Sequence, residues 1–307
     1  GASDSRFGLY LNVPTGNLNA GGLDLDGVGA GVPGIIRVEN GSLTLGNLSA
    51  SHVDLFASGD ISIASAQLSF GFGTDLYNVQ AGGNLTIGSA DYGRDAGLIH
   101  FISGGALTVE GALKTYMPIR MQAGGDVHLK GTVTIGDPGE VTILADGAVR
   151  LDSVRNDNFI TVQAGGSIQL GRFEGTGSSN LSTQGSLTAD AMIMSLDYTH
   201  NATRHTDLTA AGDIRFGEFV VRNSAADVLS QNGSISIDAF HIYLVDDVLN
   251  LCAPNGSVTM RSGASISEEG KQPGWFMLVQ SEVNISAGAD VAICADGEFT
   301  INSSLDS

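Results

Sequence analysis

Ile119-Arg-Met121-Gln-Ala-Gly-Gly125-Asp-Val127-His-Leu129 alternates apolar and polar residues, turns at two glycines, and alternates again. A period of two puts Ile119, Met121, Val127 and Leu129 on one face and the residues between them on the other. The same phrase occurs as Leu76-Tyr-Asn-Val79-Gln-Ala-Gly-Gly83-Asn-Leu85-Thr-Ile87 and as Ile160-Thr-Val162-Gln-Ala-Gly-Gly166-Ser-Ile168-Gln-Leu170. Looser copies are Phe56-Ala-Ser-Gly59-Asp-Ile61-Ser-Ile63 and Leu208-Thr-Ala-Ala-Gly212-Asp-Ile214-Arg-Phe216.

The first apolar residue after each corner gives a ruler: Leu23, Leu43, Ile61, Leu85, Leu107, Val127, Val149, Ile168, Leu187, Ile214, Ile235 and Val258. The intervals average about 21 residues, a repeat length that signals a solenoid. One such unit cannot bury its apolar face alone. Stacked under an identical unit, it pairs edge to edge at about 4.8 Å and lines up its Leu, Ile and Val side chains in columns. Glycine at the corner is expected to supply a positive φ. The Asp, Asn or Ser that follows it (Asp60, Asn84, Asp126, Ser167) is expected to bond within its own turn.

The fold read from this pattern is all-β: a right-handed parallel β-helix of about 12–14 coils, the hand following the crossover rule for parallel strands. Residues 1–260 hold the regular coils and 261–307 less regular terminal coils of the same helix. A leucine-rich repeat would need a fixed Asn and helical stretches, and a β-propeller about twice the period.

Composition limits the function classes. The net charge is −19 with only three lysines, Lys114, Lys130 and Lys271, so the basic footprint of a nucleic-acid binder is missing. No apolar run is long enough to span a bilayer as a helix. The start at Gly1-Ala2-Ser3 has neither a basic n-region nor an apolar h-region, so the chain is expected to be an internal or processed segment. Nine Asn-x-Ser/Thr sequons, from Asn40 to Asn302, are about what this Asn- and Ser-rich composition produces by chance.

Breaks in the ruler mark loops, which carry binding residues more often than a scaffold does. The longest interval holds Asp190–Asp207 with Tyr198, His200, Arg204 and His205. The stretch after Val258 carries Trp275, the only tryptophan, and another break carries Tyr92 and Arg94. Aromatic and basic residues of this kind are the candidate ligand contacts. His200 and His205 with Asp197 and Asp207 match no metal-ligand spacing, and the Gly-Gly-x-Gly-x-Asp calcium repeat occurs only in fragments, so no metal and no cofactor are expected.

An enzyme built on such coils would cluster carboxylates on one face of adjacent rungs. The polar column after the corners reads Asp24, Thr44, Ser62, Thr86, Thr108, His128, Arg150, Gln169, Thr188, Arg215, Ser236 and Thr259, with no neighbouring carboxylates. A polysaccharide lyase or hydrolase is therefore the weaker expectation, and a non-enzymatic role the stronger. Cys252 and Cys294 stand in similar contexts 42 residues apart. With a full coil between them they lie about 9.6 Å apart, beyond disulfide reach; with one oversized coil they stack and can bridge.

The three Gln-Ala-Gly-Gly corners, Val79–Gly88, Met121–Leu129 and Val162–Gly171, resemble the haemagglutinin-type repeats of filamentous haemagglutinin, a group of bacterial exoproteins exported by two-partner secretion. The resemblance runs from about Leu18 to Phe299. It implies a right-handed β-helix, an outer-membrane transporter as export partner, a secreted or cell-surface location, and adhesion to a host-cell, bacterial-cell or matrix ligand. A passive stalk in a contact-dependent toxin is the alternative it offers. No Asn-Pro-Asn-Gly motif of the family's secretion domain is present, which points to a central or C-terminal segment. Family members carry a cysteine pair near the C-terminus that helps hold the protein at the surface. Cys252 and Cys294 would correspond, at a wider spacing than the family's close pair.

Overall fold

A computed structural model describes residues 9–24, 34–50, 52–68, 75–92, 97–195, 205–222, 224–243, 248–260, 265–267, 282–287 and 291–293. Over these residues the chain is strand, turn and bend, without helix. It forms two compact units, Gly1–Asp152 and Ser153–Ser307. Each is a parallel β-solenoid with two ladders, one made of the strands before the glycine corners and one of the strands after them. The ladder before the corners has seven rungs in the first unit, from Tyr10–Val13 to Glu140–Ala145, and six in the second, from Phe159–Ala164 to Glu282–Ala287.

The register follows the apolar ruler. Leu43, Ile61, Leu85, Leu107 and Val127 lie on one another in the first unit. Ile168, Leu187, Ile214, Ile235, Val258 and Val291 do so in the second. Before the corners, Ile36, Leu55, Val79, Phe101, Met121 and Ile143 form an inward column whose members are at most 2% exposed. Each such side chain contributes roughly 1.5–3 kcal/mol of burial, an upper figure because the unfolded chain hides some of the same surface.

One expectation about this frame is corrected. The first rung begins at Leu18, which pairs with Leu43, whereas Leu23 pairs with Leu48. Gly21 and Gly22 lie inside the strand Leu18–Asp24, and the corner is the earlier Pro14-Thr-Gly16-Asn, where Gly16 has φ +93°. Val283 and Val291 share the final coil among the described residues: the shift from Val258 to Val291 is 33 residues and that from Val248 to Glu282 is 34, so the coil that starts at Val248 is the long one.

The chemistry of the corners also differs from the expected one. Among the described glycines only Gly16 has a positive φ. The other corner glycines are there because coils stack backbone on backbone. A Cβ at Gly104 would sit 2.2 Å from the Gly82 carbonyl oxygen, and one at Gly124 would sit 2.5 Å from that of Gly104. The residue after the glycine bonds to the next coil, not to its own turn. Asp60 Oδ1 accepts from the Asn84 amide at 2.7 Å, and Asn84 Oδ1 from the Ala106 amide at 2.9 Å. Asp126 serves Ala148 at 2.8 Å, Asp213 serves Ser234 at 2.8 Å, and Ser234 Oγ serves Ser257 at 3.1 Å. Each rung thus satisfies a turn amide of its neighbour, which a turn otherwise leaves to solvent.

Candidate functional site

The candidate residues divide sharply. Tyr198, His200, Arg204, Trp275, Arg94 and Cys294 lie outside the described residues. Tyr92 is no loop ligand. The strand Ala90–Tyr92 turns Ala90 and Tyr92 inward and Asp91 outward, and Tyr92 is fully buried. Its ring centroid lies 5.7 Å from that of Tyr77 and 6.2 Å from that of Phe101. The two tyrosine hydroxyls have no well-formed hydrogen bond and face only each other, and burial above all raises both phenols far above their ordinary range. This aromatic cluster is core.

Cys252 is a half-buried free thiol. Its slot differs from that of Ile293, the described residue before Cys294. Cys252 lies in the ladder before the corners, opposite Ser286, whereas Ile293, which precedes Cys294, lies in the other ladder opposite Met260. Cys252 and Ile293 thus differ both in ladder and in rung.

His205 is the one loop candidate whose side chain is described, and it opens the strand His205–Ala210. Half of the interval Asp190–Asp207 is strand, from Leu187–Ser195 before and His205–Ala210 after, and 196–204 lie outside the described residues. Thr206, Leu208 and Ala210 point inward, so His205, Asp207 and Thr209 face outward by alternation. In-register pairing then stacks Asn180, Asp207, Asp227 and Asn250 in one outward column. Two carboxylates come to lie one rung apart.

His205 completes the group. Its register partner is Ala225, whose small side chain leaves the space beside Asp227 open. His205 Nε2 lies 2.9 Å from Asp207 Oδ1 and 3.0 Å from Asp227 Oδ2. Asn250 Nδ2 donates to Asp227 Oδ1 at 2.5 Å and holds that carboxylate in place. The three side chains are 43%, 47% and 45% exposed, so the group is open to solvent on one side. Nε2 carries at most one proton, and two carboxylate oxygens compete for it.

Asp227 was hidden in the sequence by unequal corners. Asp207 stands five residues before Gly212, but Asp227 stands six before Gly233, so aligning on glycine sets them out of step. Aligning on the inward Leu208 and Val228 brings them together. The column without neighbouring carboxylates belongs to the ladder after the corners; Asp207 and Asp227 sit in the other ladder.

The first unit has its own charged face. Asp152 Oδ1 accepts from Arg150 Nε at 2.9 Å and lies 3.3 Å from His128 Nε2. Desolvation pushes this carboxyl up, but the hydrogen bonds and charges of Arg150 and His128 outweigh it and hold it below its ordinary range. Glu110 takes both its contacts from Lys130 Nζ at 2.7 Å. His128 and Arg150, a suggestive pair in sequence, thus share one carboxylate on an outer face.

Compared with known proteins, the chain matches no family model, no curated protein and no solved structure.

Proposed function

We propose that this chain is a structural and adhesive segment of a large secreted bacterial surface protein of the filamentous haemagglutinin type. It acts as a rigid scaffold that presents side chains and inter-strand connections to a ligand on a host cell, a neighbouring cell or a matrix. The carrying observation is the parallel solenoid built on Gln-Ala-Gly-Gly corners. Its interior is filled by side chains, and its outer faces are rows of Ser, Thr, Asn and paired charges. Such a body offers surface for binding. In this reading an outer-membrane transporter of the two-partner system exports the chain, which works at the bacterial surface or beyond it without turning over a substrate.

Hydrolysis of a glycan would need one carboxyl to act as acid and another as base or nucleophile. Asp207 and Asp227 are the adjacent carboxylates available, and His205 Nε2 engages an oxygen of each.

The test is an array of glycans and host-surface proteins probed with the full chain and with a variant in which 196–204 is replaced by a short Gly-Ser linker. Both strands flanking the replacement are kept. Saturable binding that the replacement abolishes is the expected result. A folded sample that binds nothing on the array contradicts the adhesive reading and favours a passive stalk.

A further inference from the structure

We propose that His205, Asp207 and Asp227 form a binding site for one divalent first-row transition-metal ion of the Zn2+ class. The inference is independent of the adhesive reading and holds whether the chain binds cells or only spaces other domains.

The donor set is one imidazole nitrogen and two carboxylate oxygens, all within 4.8 Å of one another. A mixed nitrogen–oxygen set selects Zn2+ and its first-row neighbours over calcium, which takes six to eight oxygens. Metal–ligand bonds of about 2.0–2.1 Å put neighbouring ligand atoms roughly 3.0–3.4 Å apart, depending on geometry. The observed separations of 2.9 and 3.0 Å from Nε2 to the two oxygens already fall at the edge of that range. The two carboxylate oxygens, which lie within 4.8 Å of each other, would close on the ion from either side of Nε2, and solvent fills the remaining positions through the open side.

The column gives a second argument. In-register stacking sets Asp207 on Asp227, and two like charges one rung apart repel. Their column neighbours on either side are neutral, Asn180 below and Asn250 above. Among the described residues His205 is the side chain that contacts both carboxylates, and it has one Nε2 proton to offer two anions. A dication answers both charges and frees the imidazole to act as a neutral ligand. Asn250, bonded to Asp227 Oδ1, orients that carboxylate as an outer-shell partner does. The donors come from two rungs, so the ion would tie the strand His205–Ala210 to Ala225–Ser230.

The experiment is titration of Zn2+ into the metal-stripped full chain by calorimetry, with Co2+ absorption spectra on the same samples. The variants are His205→Ala, Asp227→Asn and, as control, His128→Ala. Asp227→Asn keeps the side-chain shape and a neighbour for Asn250, so it preserves the fold; melting curves verify this. One ion per chain is expected. Affinity should fall at least about tenfold in His205→Ala and in Asp227→Asn and stay unchanged in His128→Ala. The Co2+ spectrum should lack sulfur-to-metal charge transfer, and Zn2+ should raise the melting temperature of the parent chain but not of His205→Ala. Absence of saturable uptake, uptake indifferent to His205→Ala, or a thiolate charge-transfer band would each overturn the proposal.

Discussion

At the scale of single residues, glycine does different work at different corners. Gly16 takes φ +93°, the left-handed region in which side chains are strained. Gly104 is needed for closeness: any Cβ meets the Gly82 carbonyl oxygen at 2.2 Å, and that oxygen belongs to backbone that cannot swing away. Gly104→Ala should therefore cost about 1–3 kcal/mol, the range for overpacking, read as a drop in melting temperature. Tyr92 makes the opposite case. Its hydroxyl is buried and faces only the Tyr77 hydroxyl, without a well-formed hydrogen bond, so Tyr92→Phe keeps the ring packing and removes an uncompensated desolvation. The expected change is a melting temperature equal to or above that of the parent; a clear loss would mean the hydroxyl has a partner in solution. Tyr92 was misread in sequence because Asp91-Tyr-Gly-Arg94 has the composition of a loop. Only its pairing with Thr115 on the next rung shows that Tyr92 ends a strand.

At the scale of elements, the strand pairs were legible because each carries its own alternation, and parallel stacking repeats residue types rung by rung. Val79, Met121 and Val162 could be assigned to the core from their neighbours alone. The bonds between coils were not legible, because they join residues about 21 positions apart through polar side chains that suit a local turn equally well. Asn84 is the sharpest example, reading as a turn residue and acting as an acceptor for Ala106. Asn84→Ala should lose about 1 kcal/mol, and Asn84→Asp, which keeps the acceptor, should lose less; comparison of their melting temperatures checks this. If Asn84→Ala and Asn84→Asp behave alike, the inter-coil bond is not the source of the effect. The His205–Asp207–Asp227 group was missed for the same kind of reason. Two of its members were visible in one loop, but the third comes from the next coil, and a one-residue difference in corner length hid the match.

At the scale of the whole molecule, the fold and the function stand on different footings. The solenoid follows from a repeat that buries nothing in one copy and a continuous core in several. The adhesive role is a proposal that rests on a filled interior, polar outer faces and the kind of corner the chain uses. Both rest on one physical claim: successive coils lie directly on one another, in parallel and in register. Cross-linking of paired cysteines tests it, in a background where Cys252 and Cys294 are serine. Thr86 and Thr108 are register partners on neighbouring rungs, and His128 is the partner of Thr108 on the rung beyond. Neighbouring rungs are about 4.8 Å apart and alternate rungs about 9.6 Å, and a disulfide needs Cα atoms about 4.4–6.8 Å apart. Under mild oxidation Thr86→Cys with Thr108→Cys should cross-link within the chain, and Thr86→Cys with His128→Cys should not. Cross-linking of the second pair in preference to the first would contradict the stacked solenoid and everything built on it.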